Sequence, residues 1–329
     1  MSKVTGNKIF FRYLILALGW VMLSSGGMAG VVPYPSGRLT LICPWAEGGG
    51  TDRIAREVAQ LLELELKQPV DVIDRIGDNG LTGFMAGANA EPNGYSLVML
   101  TAEISIWHWL EVTTLDYQEF QPIAMVNRDS AAILVRADAP WKNFKELQRT
   151  IKDKPGTLRA SGAPKGGIWH IAMLGWLNKN SSKSDAIQWI VSQGAEPGLQ
   201  KLITGQVDLV ICSLPEANAL LAEGKVRALA VMAPRREKYY PNIPTLKENG
   251  IVFSQATFRG IGAPLGTPPD VVKLLERKLA KIIKSPAFIE FMEHNKFGRN
   301  YLTAADFLKI LKTNDQVFEK LIKRYHISN

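Results

Sequence analysis

From Leu39 onward, short apolar runs alternate with stretches in which apolar residues recur at helical spacing. Residues 39–43 read as a first strand. Ile54, Val58, Leu62 and Leu66, with Ala55 and Ala59 beside them, line one face of a following helix. A strand at 70–73, a glycine-rich loop at 77–83 with a helix through 90, and a strand at 96–100 come next. Strands at 120–126 and 131–136 precede a helix around 144–151. The pattern then begins again, with strands at 158–160, 187–191, 207–212 and 226–232. Helices at 167–178, 196–204 and 214–223 separate them. A strand at 257–262 and helices at 269–284, 286–294 and 304–324 finish the chain. Strands spaced by helices of this length predict an α/β fold with largely parallel sheets. Two such blocks suggest two similar lobes, with soft boundaries near 127–130 and 253–257.

The first 29 residues change the picture. Lys3, Lys8 and Arg12 precede an apolar run at 13–23 and the small-residue stretch Ser24-Ser-Gly-Gly-Met-Ala-Gly30. That order is the pattern of a signal peptide cleaved near residue 29. The run is too short for a comfortable membrane span, so an uncleaved anchor is the weaker alternative. The formal charge of +8 contains those three leader charges, and 36 basic against 31 acidic residues remain after it. With no dense basic stripe among aromatics, nucleic acid is not an expected partner. Cys43 and Cys212 each sit near the end of an apolar run. An oxidising compartment permits a disulfide, but packed free thiols are the favoured reading.

The chemistry-bearing feature is Leu39-Thr-Leu-Ile-Cys-Pro-Trp-Ala-Glu-Gly-Gly-Gly-Thr-Asp52, a strand that ends in three glycines at a helix start. Such a nest of bare N–H groups suits a phosphate or a carboxylate. Ligands of open α/β sheets bind beyond the carboxyl ends of the strands. That rule selects 45–52, 80–83 and 101–102 in the first block, and 161–167 with Trp169 and His170, 193–196 and Ser213 in the second. Asp52 is expected to orient its loop, and Ser213 to start a helix with Glu216 three residues on. Trp107 and Trp109 are core residues or ligand walls, and Arg53, Arg128 and Arg259 are charge partners for an anion or structural. No Gly-x-Gly-x-x-Gly, Gly-Lys-Ser/Thr, Gly-x-Ser-x-Gly or His-Glu-x-x-His pattern occurs. No catalytic residue, cofactor or metal site is therefore expected.

The chain resembles the extracytoplasmic solute-binding proteins of bacterial tripartite tricarboxylate transporters, the Bordetella uptake gene product family. The resemblance rests on Pro44-Trp-Ala-Glu-Gly-Gly-Gly-Thr-Asp52, Pro92-Asn-Gly-Tyr95, Gly166-Gly-Ile-Trp-His170, Gly205-Gln-Val-Asp208 and Cys212-Ser-Leu-Pro-Glu-Ala217. Gly224-Lys-Val-Arg-Ala-Leu-Ala230, Ile243-Pro-Thr-Leu246 and Gly262-Ala-Pro-Leu-Gly-Thr-Pro268 extend it. It implies a two-lobed type II periplasmic binding protein, each lobe a mixed, largely parallel sheet flanked by helices. Lobe 1 would hold residues 30–128 plus 255–329, and lobe 2 residues 129–254.

The implied function is a monomeric periplasmic receptor that delivers a small carboxylate to the membrane subunits of a tripartite permease. Di- or tricarboxylates are favoured and aromatic carboxylates are open. A receptor reporting to a membrane sensor is the alternative, and a secreted hydrolase using Ser161 and His170 a remote one. Carried onto this chain, the ligand contacts are Trp45, Gly48, Gly49, Gly50, Thr51, Gly80, Leu81, Thr82 and Thr101 from the first lobe. The second supplies Ser161, Gly162, His170, Gly194, Ala195 and Ser213. Asp78-Asn79, Pro164-Lys165 and Thr101-Ala-Glu103 depart from the usual family pattern, and they leave the ligand's identity open.

Overall fold

A computed structural model describes residues 33–325 and 327. The expected signal peptide lies outside the described residues. In chain order the elements are β1 (Leu39–Cys43), α1 (Gly50–Leu66), β2 (Val70–Asp74), α2 (Leu81–Ala88), β3 (Ser96–Thr101), β4 (Phe120–Arg136), α3 (Phe144–Asp153), β5 (Leu158–Ser161), α4 (Ile168–Lys179) and β6 (Ile187–Trp189). They continue with α5 (Ala195–Ile203), β7 (Leu209–Ser213), α6 (Asn218–Ala222), β8 (Val226–Val231), β9 (Ala256–Pro264), α7 (Pro269–Ile283), α8 (Pro286–His294), β10 (Arg299–Thr303) and α9 (Ala304–Tyr325).

The sheet is mixed. β1 runs parallel to β2 and β3, and β5 parallel to β6 and β7. β9 is antiparallel to both β3 and β4, while β4 is antiparallel to β7, β8 and β10. The long strand β4 joins the two sets: residues 120–130 pair with β9 and 131–136 with β7 and β8. β3 and β7 are buried along almost their whole length, as expected of strands covered on both faces.

Helical faces follow the apolar spacing. α1 buries Ile54, Ala55, Val58, Ala59 and Leu62, and each of the larger side chains contributes about 1.5–3 kcal/mol on burial. It ends at Lys67, whose left-handed backbone donates its N–H to the Glu63 carbonyl at 2.8 Å. α4 is buried all round from Ile168 to Leu177, so it is a core helix and not a surface one. Among the described residues no helix is long and apolar enough to cross a membrane.

Three elements differ from the sequence reading. The strands at 120–126 and 131–136 are one continuous strand, because the polar linker 127–130 finds ladder partners on β9. Its buried Asn127 and Asp129 also find a side-chain partner in Arg259. β10 escapes a periodicity search, since Arg299-Asn-Tyr-Leu-Thr303 carries little apolar signal. The helix expected at 214–223 is a single tight turn at Pro215–Ala217 followed by the short α6.

Candidate ligand-binding site

Helices α1, α4 and α5 begin at one cleft that is partly open to solvent. Each helix has a glycine at its N-cap: Gly49, Gly167 and Gly194. None of the three can cap through a side chain. By contrast α3 and α8 carry side-chain caps, Asn143 accepting from Glu146 N–H and Ser285 from Phe288 N–H, while α2, outside the cleft lining, also starts on a glycine, Gly80. First-turn N–H groups have no intrahelical acceptor, and the helix dipole adds partial positive charge there. A bare helix start at a cavity is thus an anion seat.

The glycine loop before α1 is held from behind. Asp52, 1% exposed, accepts the Gly48 N–H at 2.8 Å, and its other oxygen lies 2.7 Å from Arg56 Nε. Arg56 also pairs with Asp74 at 2.8 Å. Gly50 must be a glycine for contact reasons: a Cβ there would lie 2.5 Å from Arg259 Nη2.

Arg259, on β9 and 2% exposed, is the hub of the site. Its Nε donates to Thr51 Oγ1 (3.0 Å), Nη1 to Asn127 (2.7 Å) and Asp129 (2.8 Å), and Nη2 to Glu216 (3.0 Å). Four of its five N–H groups are thereby engaged. Burial pushes the Asp129 carboxyl up, against the opposing pull of Arg259. Arg53 also lines the cleft. It sits over the Phe297 ring at 4.9 Å and donates to Asn295, and burial and the nearby Arg259 charge lower its proton affinity.

A second polar chain starts beside Arg259, at its ladder neighbour Thr101 on β3. Trp45 Nε1 donates to Thr101 Oγ1 at 3.2 Å, and Thr101 donates to Glu103 Oε2 at 2.6 Å. Glu103 Oε1 accepts the Ile168 N–H at 3.3 Å, so its carboxylate occupies the start of α4. Glu103 is 3% exposed and lines the cleft, and burial pushes its carboxyl up.

Residues 54–327 match the family described as the Tripartite tricarboxylate transporter family receptor. The chain belongs to that family. It is 31% identical to a UPF0065 protein of Bordetella pertussis over 83% of this chain and 85% of that one. A TctC solute-binding protein from Polaromonas superposes with a TM-score of 0.69 at 32% identity, covering 89% of this chain and all of the other. Rpa4515 of R. palustris, determined with adipate, superposes at 0.84 with 24% identity over 90% and 99%, a likeness of fold. The chain is therefore a periplasmic solute-binding receptor of type II architecture serving a tripartite transporter, and not an enzyme.

In this receptor the cleft brings together Trp45, Gly48, Gly49, Gly50, Thr51, Thr101, Gly162, Gly194 and Ala195. Gly80, Leu81, Thr82, Ser161, His170 and Ser213 stand outside the lining. Gly80 lies against the Trp45 ring, with 3.1 Å from a built Cβ to Cζ2, so it backs that indole. Thr82 is exposed and donates to Asp78 at 3.4 Å. Ser213 donates through both N–H and hydroxyl to Glu216, at 3.0 and 2.9 Å. His170 Nδ1 accepts the Gly166 N–H at 2.9 Å, and burial, then Lys165, lowers its pKa to about 4. A neutral His170 and a Ser161 hydroxyl without a hydrogen-bond partner form no catalytic pair. Trp107 is core, and Trp109 donates to Asp315 at 3.1 Å, so neither walls the cleft.

Sequence reasoning overlooked Glu103 as a site residue, although it stands just past the end of β3 on the binding side. It weighed Arg259 and Glu216 without joining them, because their link runs through tertiary contact. Cys43 and Cys212 are buried and free. Cys43, Asp52 and Asp74 converge within 4.8 Å. Arg56 already neutralises the two carboxylates, and burial pushes the Cys43 thiol well up, which leaves a poor metal donor.

Proposed function

We propose that the cleft binds a small carboxylate and that the chain passes it to its permease by closing two lobes over it. Residues 30–128 plus 255–329 form one lobe and residues 129–254 the other, with β4 running across the boundary and the chain returning just before β9. The carrying observation is the convergence of three glycine-started helices, with Thr51 and Trp45, on one cavity. Thr51 accepts from Arg259, which leaves its own proton to donate. The ligand contacts are Trp45, Gly48 to Thr51, Thr101, Gly162, Gly194 and Ala195. Gly80 to Thr82, Ser161, His170 and Ser213 shape the loops behind them. Rpa4515, which shares this fold, was determined with adipate, itself a carboxylate.

A thermal-shift panel tests this reading with citrate, C4–C6 dicarboxylates, monocarboxylates, aromatic carboxylates, amino acids and an uncharged control. A ligand that binds only the folded state raises Tm, by about 2.7 kcal/mol of stability at one hundred times Kd. A selective rise for carboxylates is expected. A flat panel, after unfolding and refolding to remove co-purified ligand, overturns the reading.

A further inference from the structure

Of the glycine-started helices at the cleft, α4 differs in one respect. Its first N–H already faces a carboxylate, and that carboxylate belongs to the protein. The direction of the chain that holds Glu103 is fixed by chemistry. An indole N–H only donates, so Thr101 Oγ1 accepts from Trp45 and sends its own proton to Glu103. Both Glu103 oxygens are thus acceptors, from Thr101 and from Ile168. No ion pair reaches this carboxylate among the described residues. The charged side chains that line the cleft are Arg53 and Arg259 against Glu103, Glu196 and Glu216. Arg259 is committed to Asp129 and Glu216, and Arg53 is engaged with Asn295 and Phe297. A ligand with a negative charge at both ends would place one of them beside a buried carboxylate, which is costly.

We propose that Glu103 makes this receptor selective for a ligand with one carboxylate and, at its other end, a hydrogen-bond donor, an ammonium before a hydroxyl, over di- and tricarboxylates. The ligand carboxylate sits at the bare starts of α1 and α5. Its donor end faces the free lone pairs of Glu103, between Trp45 and the start of α4. Burial pushes the Glu103 carboxyl up against the opposing pull of the Arg259 charge, which makes no ion pair with it, and a ligand ammonium supplies a direct counter-charge. The inference rests on the carboxylate reading of the cleft and narrows it. It also reverses the sequence-based preference for di- and tricarboxylates.

Isothermal titration of the purified exported protein tests it with probes matched in length. These are succinate, 4-hydroxybutyrate and 4-aminobutyrate; glutarate and 5-aminovalerate; adipate and 6-aminohexanoate. At the best length the amino acid should bind at least tenfold tighter than its dicarboxylate, with the hydroxy acid between. Glu103→Gln should cut affinity for the amino acid at least tenfold and leave the dicarboxylate equal or tighter. Equal or tighter binding of the dicarboxylate at every length overturns the inference and leaves the carboxylate receptor standing, with a protonated Glu103 donating to the second carboxylate. An unchanged preference in a folded Glu103→Gln variant also overturns it. If that variant does not fold, the wild-type series decides alone. Failure of every probe and of the wider carboxylate panel removes the parent reading instead.

Discussion

Helices α1 and α4 enter the same cleft from the same kind of start, a glycine N-cap after the end of a strand, yet they are finished differently. At α1 no side chain caps the first turn, and the loop is braced from behind by Asp52 and Arg56. At α4 the carboxylate of Glu103 takes the Ile168 N–H. The difference separates two jobs that look alike in sequence. One helix start is kept for an anion that arrives from solution, and the other has its anion built in. The built-in charge then sets what the rest of the ligand has to be.

The largest expected effect breaks the hub beside the start of α1. Arg259→Met strands Asp129 and Glu216 without a cation, and the expected loss is about 3–5 kcal/mol, since a broken buried pair leaves an unpaired charge. Urea unfolding measures it, and adding Asp129→Asn should recover part of the loss.

Next is pH, read at α4. The His170 pKa is lowered to about 4 by burial and then by Lys165, so the unfolded chain binds the extra proton first. Its contribution is present above the unfolded value near pH 6.5 and is lost as pH falls through 4, with a span of about 3 kcal/mol. Burial moves the Glu103 and Asp129 carboxyls the other way, upward, so their effect opposes that of the histidine. The difference between wild type and His170→Gln isolates the histidine. The variant should flatten the fall in stability between pH 6.5 and 4 in urea melts.

The smallest effect sharpens the comparison at α1. Gly50→Ala puts a methyl where Arg259 Nη2 lies. Carboxylate affinity by titration should fall at least tenfold, or about 1.4 kcal/mol. A removed exposed hydroxyl, Thr82→Ala, should leave affinity unchanged, because that loop backs Trp45 and does not face the ligand.

Much of this fold is written locally. The strand and helix signals from 39 to 100 lie where the elements form, because each rests on its own periodicity. The nest at 48–51 was legible for the same reason, since three glycines at a strand end need no partner to be noticed. What periodicity missed depends on distant residues. Asn127 and Asp129 look like a polar break, but Arg259 and the β9 ladder turn that break into the middle of a strand. Ser161, His170 and Ser213 looked like ligand contacts because they sit at strand or helix ends of the right sheet edge. Nearer partners orient two of them: Gly166 takes His170, and Glu216 takes Ser213. Glu103 stood out in sequence only as part of a departure from the family pattern, and its bond from the Ile168 N–H at the start of α4 depends on tertiary structure.

The most direct measurement is a crystal structure of the receptor with its best-binding carboxylate. The account predicts the ligand carboxylate within hydrogen-bond distance of the Gly50 and Thr51 N–H groups at the start of α1, with its donor group on Glu103. A ligand carboxylate at the start of α4, with Glu103 displaced from the Ile168 N–H, would contradict it.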